Sequence, residues 1–174
     1  AAPLACVKRC PVIATHGAVP NDVLENAFSE GRHSRALVIG NAADATIDDR
    51  LRERGVSVER IARDTPQATC IALCERSLAE TRPSRNGRRE LCIASLSLSQ
   101  WPELLGCGAY AAKRDSALLL ENPTDLDDIA QCLDFVERSS AQVDKLVFIG
   151  KESGVARLDR ELLVESLDDA RSGR

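Results

Sequence analysis

A layered α/β fold, with a largely parallel sheet covered by helices on both faces, is what this sequence predicts, and three observations predict it. Short apolar runs recur along the chain, and most lack the polar alternation of half-exposed strands, as strands buried on both faces do. Amphipathic stretches at helical spacing lie between them. The two signals alternate, which is the order from which parallel sheets are wound.

The runs of strand type are Val12-Ile13-Ala14 and the segments 36–39, 56–61, 91–94, 117–120 and 146–149. Val23, Leu24, Ala27 and Phe28 make one apolar helical face, and Ile47 with Leu51 makes another. Over 124–136, Thr124 or Asp125 is placed to cap a helix whose apolar positions are Leu126, Ile129, Ala130, Leu133 and Phe135 or Val136. Gly40 and Gly150 each end a strand, where a strand-to-helix turn is expected.

Composition narrows the function. At 174 residues the chain can bury one sizeable core, or two small ones that lean on each other, without disulfides. Its aromatic residues are three Phe, one Trp and one Tyr, too few to build stacking platforms for bases or sugars. A formal net charge of −4 argues against general binding to phosphate backbones, so an anionic partner must be met by a local basic patch. No run of about eighteen apolar residues is present to span a membrane. The chain opens on Ala1-Ala2-Pro3-Leu4 without the charged start and apolar run of a signal peptide, and its beginning is expected to be cut or processed from something longer.

Seven cysteines are present, and Cys6 with Cys10, like Cys70 with Cys74, stand four apart within apolar helical stretches. Buried free thiols are the expected role, and an odd total leaves at least one unpaired. No metal site is expected, because neither His16 nor His33 lies at ligand spacing to the sulfurs.

An internal repeat runs through the chain. Ala1-Ala2-Pro3-Leu4-Ala5 lies over Cys107-Gly108-Ala109-Tyr110-Ala111, and Val12-Ile13-Ala14 over Leu118-Leu119-Leu120. Leu37-Val38-Ile39-Gly40 lies over Val147-Phe148-Ile149-Gly150. After one small insertion, Ile47-Asp48-Asp49-Arg50-Leu51 meets Leu158-Asp159-Arg160-Glu161-Leu162, and the order of elements is the same in both copies.

These residues carry a resemblance to a known family. Gly55-Val56-Ser57-Val58-Glu59-Arg60-Ile61, Thr69, Ala94-Ser95, the run from Trp101-Pro102-Glu103-Leu104-Leu105 to Ala111, Leu118-Leu119-Leu120 and Ile149-Gly150 follow one another as the motifs of the type 2 cell-wall-binding repeat do. The chain resembles about one and a half copies: 1–55 the latter half of one module, 56–167 a complete second, and 168–174 a tail. Three positions depart from the family pattern: Thr65-Pro66-Gln67 stands for its Asp-Arg-Tyr, Arg63 for a Gly and Lys151 for a second Gly. The resemblance implies a Rossmann-like or topoisomerase-primase-like fold, modules that associate in threes, and non-covalent attachment of a surface protein to an anionic wall polymer. It also implies an extracellular location at the cell wall of a Gram-positive organism, and self-association or further repeats to complete the sheet.

Equipment for chemistry is sparse. Gly40 and Gly150 belong to no dinucleotide or phosphate-binding fingerprint, so no cofactor is expected. Ser95, Ser97 and Ser99 follow a strand without a nucleophile elbow or an evident histidine base, and no catalytic residue is expected. The doublets Asp48-Asp49, Asp127-Asp128 and Asp168-Asp169 read as caps and solvated helix faces. Arg60, Arg63, Arg88 and Arg89 are the candidates for contacts to a polyanion, although Arg60 and Arg63 equally suit salt bridges. Trp101 is placed as a partly buried anchor or a surface for a sugar ring, and Glu103 as a helix-start carboxylate or a polar contact in a groove. The expected function is a non-catalytic wall-attachment module. A small Rossmann-like enzyme or ligand-binding domain with its site at the carboxyl ends of the strands, and a purely structural oligomerisation platform, are the alternatives.

Overall fold

A computed structural model describes residues 1–173 except 16, 29–32, 43, 82–88, 97–100 and 151–153, and for 101–105 it describes the backbone alone. The described elements, in order, are α1 (Ala2–Lys8), α2 (Asn21–Phe28), β1 (Arg35–Ile39), α3 (Thr46–Arg52), β2 (Ser57–Ile61), α4 (Pro66–Glu80), β3 (Glu90–Ser95), α5 (Trp101–Lys113), β4 (Ala117–Glu121), α6 (Leu126–Arg138), β5 (Lys145–Ile149) and α7 (Arg157–Ser172). Every described strand pairing is parallel, in two sheets ordered β1-β2 and β4-β3-β5. The predicted three-layer α/β class is therefore the observed one.

The chain divides into two units, 12–69 and 1–11 with 70–174. The first is built on the β1-β2 pair. Val19 and Leu24 from the α2 side and Ile47 and Leu51 from α3 bury one apolar cluster with Val56, against which Ala36, Val38 and Val58 of the strands pack. Leu24, Ile47 and Leu51 are the helix-face residues that the spacing picks out, and they are buried because a two-stranded sheet has no other apolar cover.

The second unit is built on β3, whose positions Leu91 to Ala94 are buried on both faces. Alternation along the strand sends Leu91 and Ile93 to one side, together with Ala117 and Leu119 of β4, where α4, α6 and α7 contribute Ile71, Leu78, Phe135, Val136, Leu163 and Leu167. The opposite face is covered by α5, which contacts both β3 and β4, and α1 packs along α5 and β4. Asp125 caps α6, its carboxylate accepting the N–H groups of Asp127 and Asp128 at 3.0 and 3.3 Å. That settles which of the two neighbouring cap candidates acts.

Contact between α1 and α5 depends on Gly108. A Cβ there would stand 2.7 Å from the Cβ of Ala2, closer than two carbons approach. Gly108→Ala is expected to cost about 1–3 kcal/mol through overpacking and to loosen α1. Adding Ala2→Gly should recover most of that loss in a thermal melt, and a double mutant no more stable than Gly108→Ala would contradict the contact.

Two expectations need correction. Val12-Ile13-Ala14 is not a strand: it is irregular, with Val12 58% and Ile13 44% exposed. Three apolar residues between Pro11 and a polar Thr15 are too short a run to sustain a ladder, and no described strand pairs with them. The matching of this segment to β4 in the repeat therefore fails, whereas β1 with α3 and β5 with α7 do repeat the strand, glycine turn and helix in the same order. Cys10 likewise lies beyond the end of α1, after Arg9 in the left-handed region (φ 52°), and is exposed together with Cys6.

Three of the other thiols, Cys70, Cys74 and Cys132, have a structural use. In a parallel pair, alternate residues of β4 direct their backbone groups toward β3, as Glu121 does in accepting the Leu96 N–H at 2.7 Å. Leu118 and Leu120 point theirs outward, and these are met by sulfur. The Leu118 carbonyl accepts from the Cys74 Sγ at 3.0 Å, and the Leu120 N–H donates to the Cys70 Sγ at 3.4 Å. Cys132 Sγ from α6 reaches the Leu120 carbonyl at 4.0 Å. Thiols thus occupy groups that an edge strand otherwise leaves unpaired.

Candidate functional site at the strand ends

In open parallel sheets ligands gather at the carboxyl ends of the strands, so the two sheets are described there in turn. In the unit 12–69, β1 ends at Gly40, whose φ of 79° makes the turn toward α3 that a side chain would strain. Arg60, the penultimate residue of β2, turns its guanidinium onto that loop. Its Nε and Nη2 donate to the two oxygens of Asp48 at 2.9 and 2.7 Å, and its Nη1 donates to the Gly40 carbonyl at 3.0 Å. The bidentate contact lowers the Asp48 pKa, chiefly through its hydrogen bonds, and raises that of Arg60.

Arg63 lies just beyond β2 on the same rim. Its backbone N–H donates to the Thr69 hydroxyl at 2.9 Å and its carbonyl accepts from Asn41 Nδ2 at 3.1 Å, while its guanidinium donates to the adjacent Ala62 carbonyl at 2.9 Å. Thr69 also donates to the Thr65 carbonyl at 3.0 Å, so one hydroxyl pins the turn from β2 into α4. Arg60 and Arg63 are thus brought together, the first engaged with Asp48 and the second turned outward.

In the other unit the carboxyl ends carry a carboxylate pair that sequence reasoning misses. Glu121 closes β4 on the same face as Ala117 and Leu119, and it is fully buried with neither side-chain oxygen hydrogen-bonded. Asp159, in the first turn of α7, is 9% exposed and faces it. Burial first, and the Asp159 charge second, push the Glu121 pKa up from 4.5 to about 7. Arg160 opposes that rise, with its Nε on the Val155 carbonyl at 2.8 Å, its Nη2 near the Gly150 carbonyl at 3.5 Å, and its guanidinium carbon 5.5 Å from the Phe148 ring centroid. The sequence does hold a signal: a carboxylate one step past Leu118-Leu119-Leu120, at the alternate position that continues the buried face.

Arg160 and Arg60 play matching parts. Each unit ends a strand in a glycine of positive φ, Gly40 at 79° and Gly150 at 108°, and each glycine carbonyl is approached by a guanidinium. In one unit that group comes from the neighbouring strand, and in the other from the following helix.

The remaining predicted residues are not gathered at one rim. Arg89 precedes β3, at the end of the sheet away from Glu121. Its backbone N–H donates to Asp144 Oδ2 at 2.8 Å and its Nη1 to the Leu78 carbonyl at 2.8 Å. Trp101 and Glu103 lie in the first turn of α5, after the carboxyl end of β3, with only their backbone described. Arg88, with the rest of 82–88, and Ser97, Ser99 and Lys151 lie outside the described residues. Among the described residues no group of three or more His, Cys, Asp or Glu is arranged to hold a metal ion, and no helix is long and apolar enough to cross a membrane.

Fold and rim together define a protein of parallel α/β units with a glycine turn and an arginine at the strand ends. Among solved structures it is similar to Cwp8 from Clostridium difficile, a cell wall protein, with a TM-score of 0.68 at 15% sequence identity. The match covers 97% of this chain and 27% of the Cwp8 chain, so the present chain spans about a quarter of that protein's length. No family model and no curated protein matches the sequence.

Proposed function

We propose that this chain is a non-catalytic attachment module that holds an anionic cell-wall polymer non-covalently at the outer surface of a cell. The observation that carries the proposal is the fold shared with the wall protein Cwp8 over nearly the whole chain. The strand Val58-Glu59-Arg60-Ile61, which carries the repeat-like motif, supports it by bringing Arg60 to a rim where Arg63, a departure from that motif, adds a second guanidinium. A long polyanion that touches several weak basic positions, on this chain and on self-associated copies or neighbouring repeats, is retained by avidity. Enzymatic chemistry has no part in this reading.

Arg60 already binds Asp48, so replacing it also unpairs a carboxylate. The test therefore uses two variants: Arg63→Ala/Arg88→Ala/Arg89→Ala with Arg60 intact, and the same with Arg60→Ala added. At about 0.2–1 kcal/mol per exposed contact, the triple variant is expected to weaken retention on purified walls by roughly threefold to a hundredfold. It should also flatten the dependence of retention on salt. Retention equal to wild type in both variants at low and high salt would remove the basic residues from the proposal.

A further inference from the structure

Cys70 and Cys74 have no part in polymer attachment, yet they form an unusual group of side chains. Both lie on the same face of α4, one helical turn apart, and their sulfurs meet the same short stretch of β4, Cys74 at the Leu118 carbonyl and Cys70 at the Leu120 N–H. The single proton of Cys74 has two acceptors at hand, the Leu118 carbonyl at 3.0 Å and the Cys70 sulfur. Cys70 in turn receives the Leu120 N–H at 3.4 Å. Cys70 is partly exposed and Cys74 buried, so the pair is open to solvent from one side.

These thiols are badly placed for a disulfide. Cβ atoms four apart on a helix stand about 5–6 Å from each other, whereas a disulfide needs about 3.5–4.5 Å. An atom inserted between the sulfurs removes the conflict. We propose that Cys70 and Cys74 form a two-coordinate site for the monovalent thiophilic cation Cu(I).

Soft thiolate ligands select such a cation over Mg²⁺ or Ca²⁺. The absence of a third His, Cys, Asp or Glu in ligand position, among the described residues, disfavours Zn²⁺, which takes four ligands in structural sites. Cys132 is held in its thiol form by burial and does not join the pair. The hydrogen bond from Cys74, and after it the Leu120 N–H, pull the Cys70 pKa below that of an ordinary thiol, which puts the first thiolate on the exposed side. Binding replaces both S–H protons: two thiols and one Cu(I) give a bis-thiolate complex of net charge −1, and two protons leave to solvent. Neither sulfur changes oxidation state. The Cys74 contact to Leu118 is given up, while the Leu120 N–H remains to stabilise the anionic complex.

The chain supplies its own control. Cys6 and Cys10 have the same spacing, but Cys10 stands beyond the end of α1 and both are exposed. The experiment titrates the whole chain with Cu(I), delivered as its acetonitrile complex under argon and challenged with a bathocuproine chelator. Wild type and Cys6→Ser/Cys10→Ser are expected to retain one equivalent, release two protons per cation below the Cys70 pKa of about 7 and fewer above it, and gain thermal stability by mass action. Cys70→Ser and Cys74→Ser should each lose that equivalent. Failure of wild type to hold Cu(I) against the chelator, or retention abolished by Cys6→Ser/Cys10→Ser, would overturn the assignment without requiring the Cys70 or Cys74 variants to fold.

Discussion

Glutamine in place of Glu121 is expected to raise the melting temperature above neutral pH and to remove most of the loss of stability that the wild-type chain undergoes as pH climbs from about 4.5 to about 7. The sign follows from the raised pKa. Folding buries Glu121 opposite Asp159, so the native carboxyl keeps a proton that the unfolded one gives up. Between the two pKa values the folded state binds more protons, and stability therefore falls as pH rises, levelling off above about 7. Its contribution is fully present only below about 4.5. The groups that face it are Asp159 and Arg160 from α7 and Cys132 from α6.

The effect is on the order of 2 kcal/mol, since each tenfold gain in proton affinity on folding carries about 1.4 kcal/mol and relaxation around the site takes back part of it. Asp48, Glu80 and Glu90 act in the opposite sense: with pKa values lowered by arginine and lysine partners, they lose their contribution as pH falls through the ordinary carboxylate values of 3.8 and 4.5 and below. Cys70, its pKa lowered from 9.0 to about 7, adds stability as pH rises past that value, so it is the difference between wild type and Glu121→Gln, taken at each pH, that isolates Glu121. Thermal melts of wild type and Glu121→Gln across the window decide the matter. A wild-type stability that is flat or rising there, or a Gln variant that tracks wild type, would mean that the buried carboxyl is solvated or paired in solution.

Phe135→Ala is expected to be the most damaging single truncation, costing about 3–5 kcal/mol. Phe135 is fully buried on α6, where it meets β3, β4 and α7 side chains in one cluster, and no other aromatic residue is among the buried members of that cluster. Removing the ring leaves a void between rigid elements, because the sheet cannot follow the helix inward without breaking its parallel ladders. Urea denaturation gives the test: a lower midpoint with an unchanged slope signals lost stability, and a cost below about 1 kcal/mol would mean that the cluster collapses readily around the gap.

Much of this architecture is legible in the primary structure, for a reason that also marks where reading stops. The strands at 36–39, 91–94, 117–120 and 146–149 are continuous apolar runs, that at 56–61 alternates apolar and polar residues, each has a Gly or Ser at one end, and β1 to β5 occupy them within a residue or two. Val12-Ile13-Ala14 has the right composition but no neighbouring strand, and composition alone does not supply a partner. Arg60 is legible as a salt-bridging residue from its place at a strand end. Its carboxylate, Asp48, reads in the sequence as part of a solvated helix face, because register across a loop is a tertiary fact. Glu121 with Asp159 is illegible for the same reason: each looks ordinary in its own segment, and only the packing of α7 on the sheet sets them face to face.

The sulfur-lined flank of β4 bears on how a longer array could be assembled. With the outward amide of Leu120 and carbonyl of Leu118 already engaged by cysteines, two of the groups that a newcomer strand would use on that flank are taken. Among the described residues β5 pairs with β3 alone, so its far side keeps ladder positions to offer. The two flanks of this sheet are therefore unequal: on β4 two outward backbone groups are held by thiols, and on β5 no described strand lies beyond.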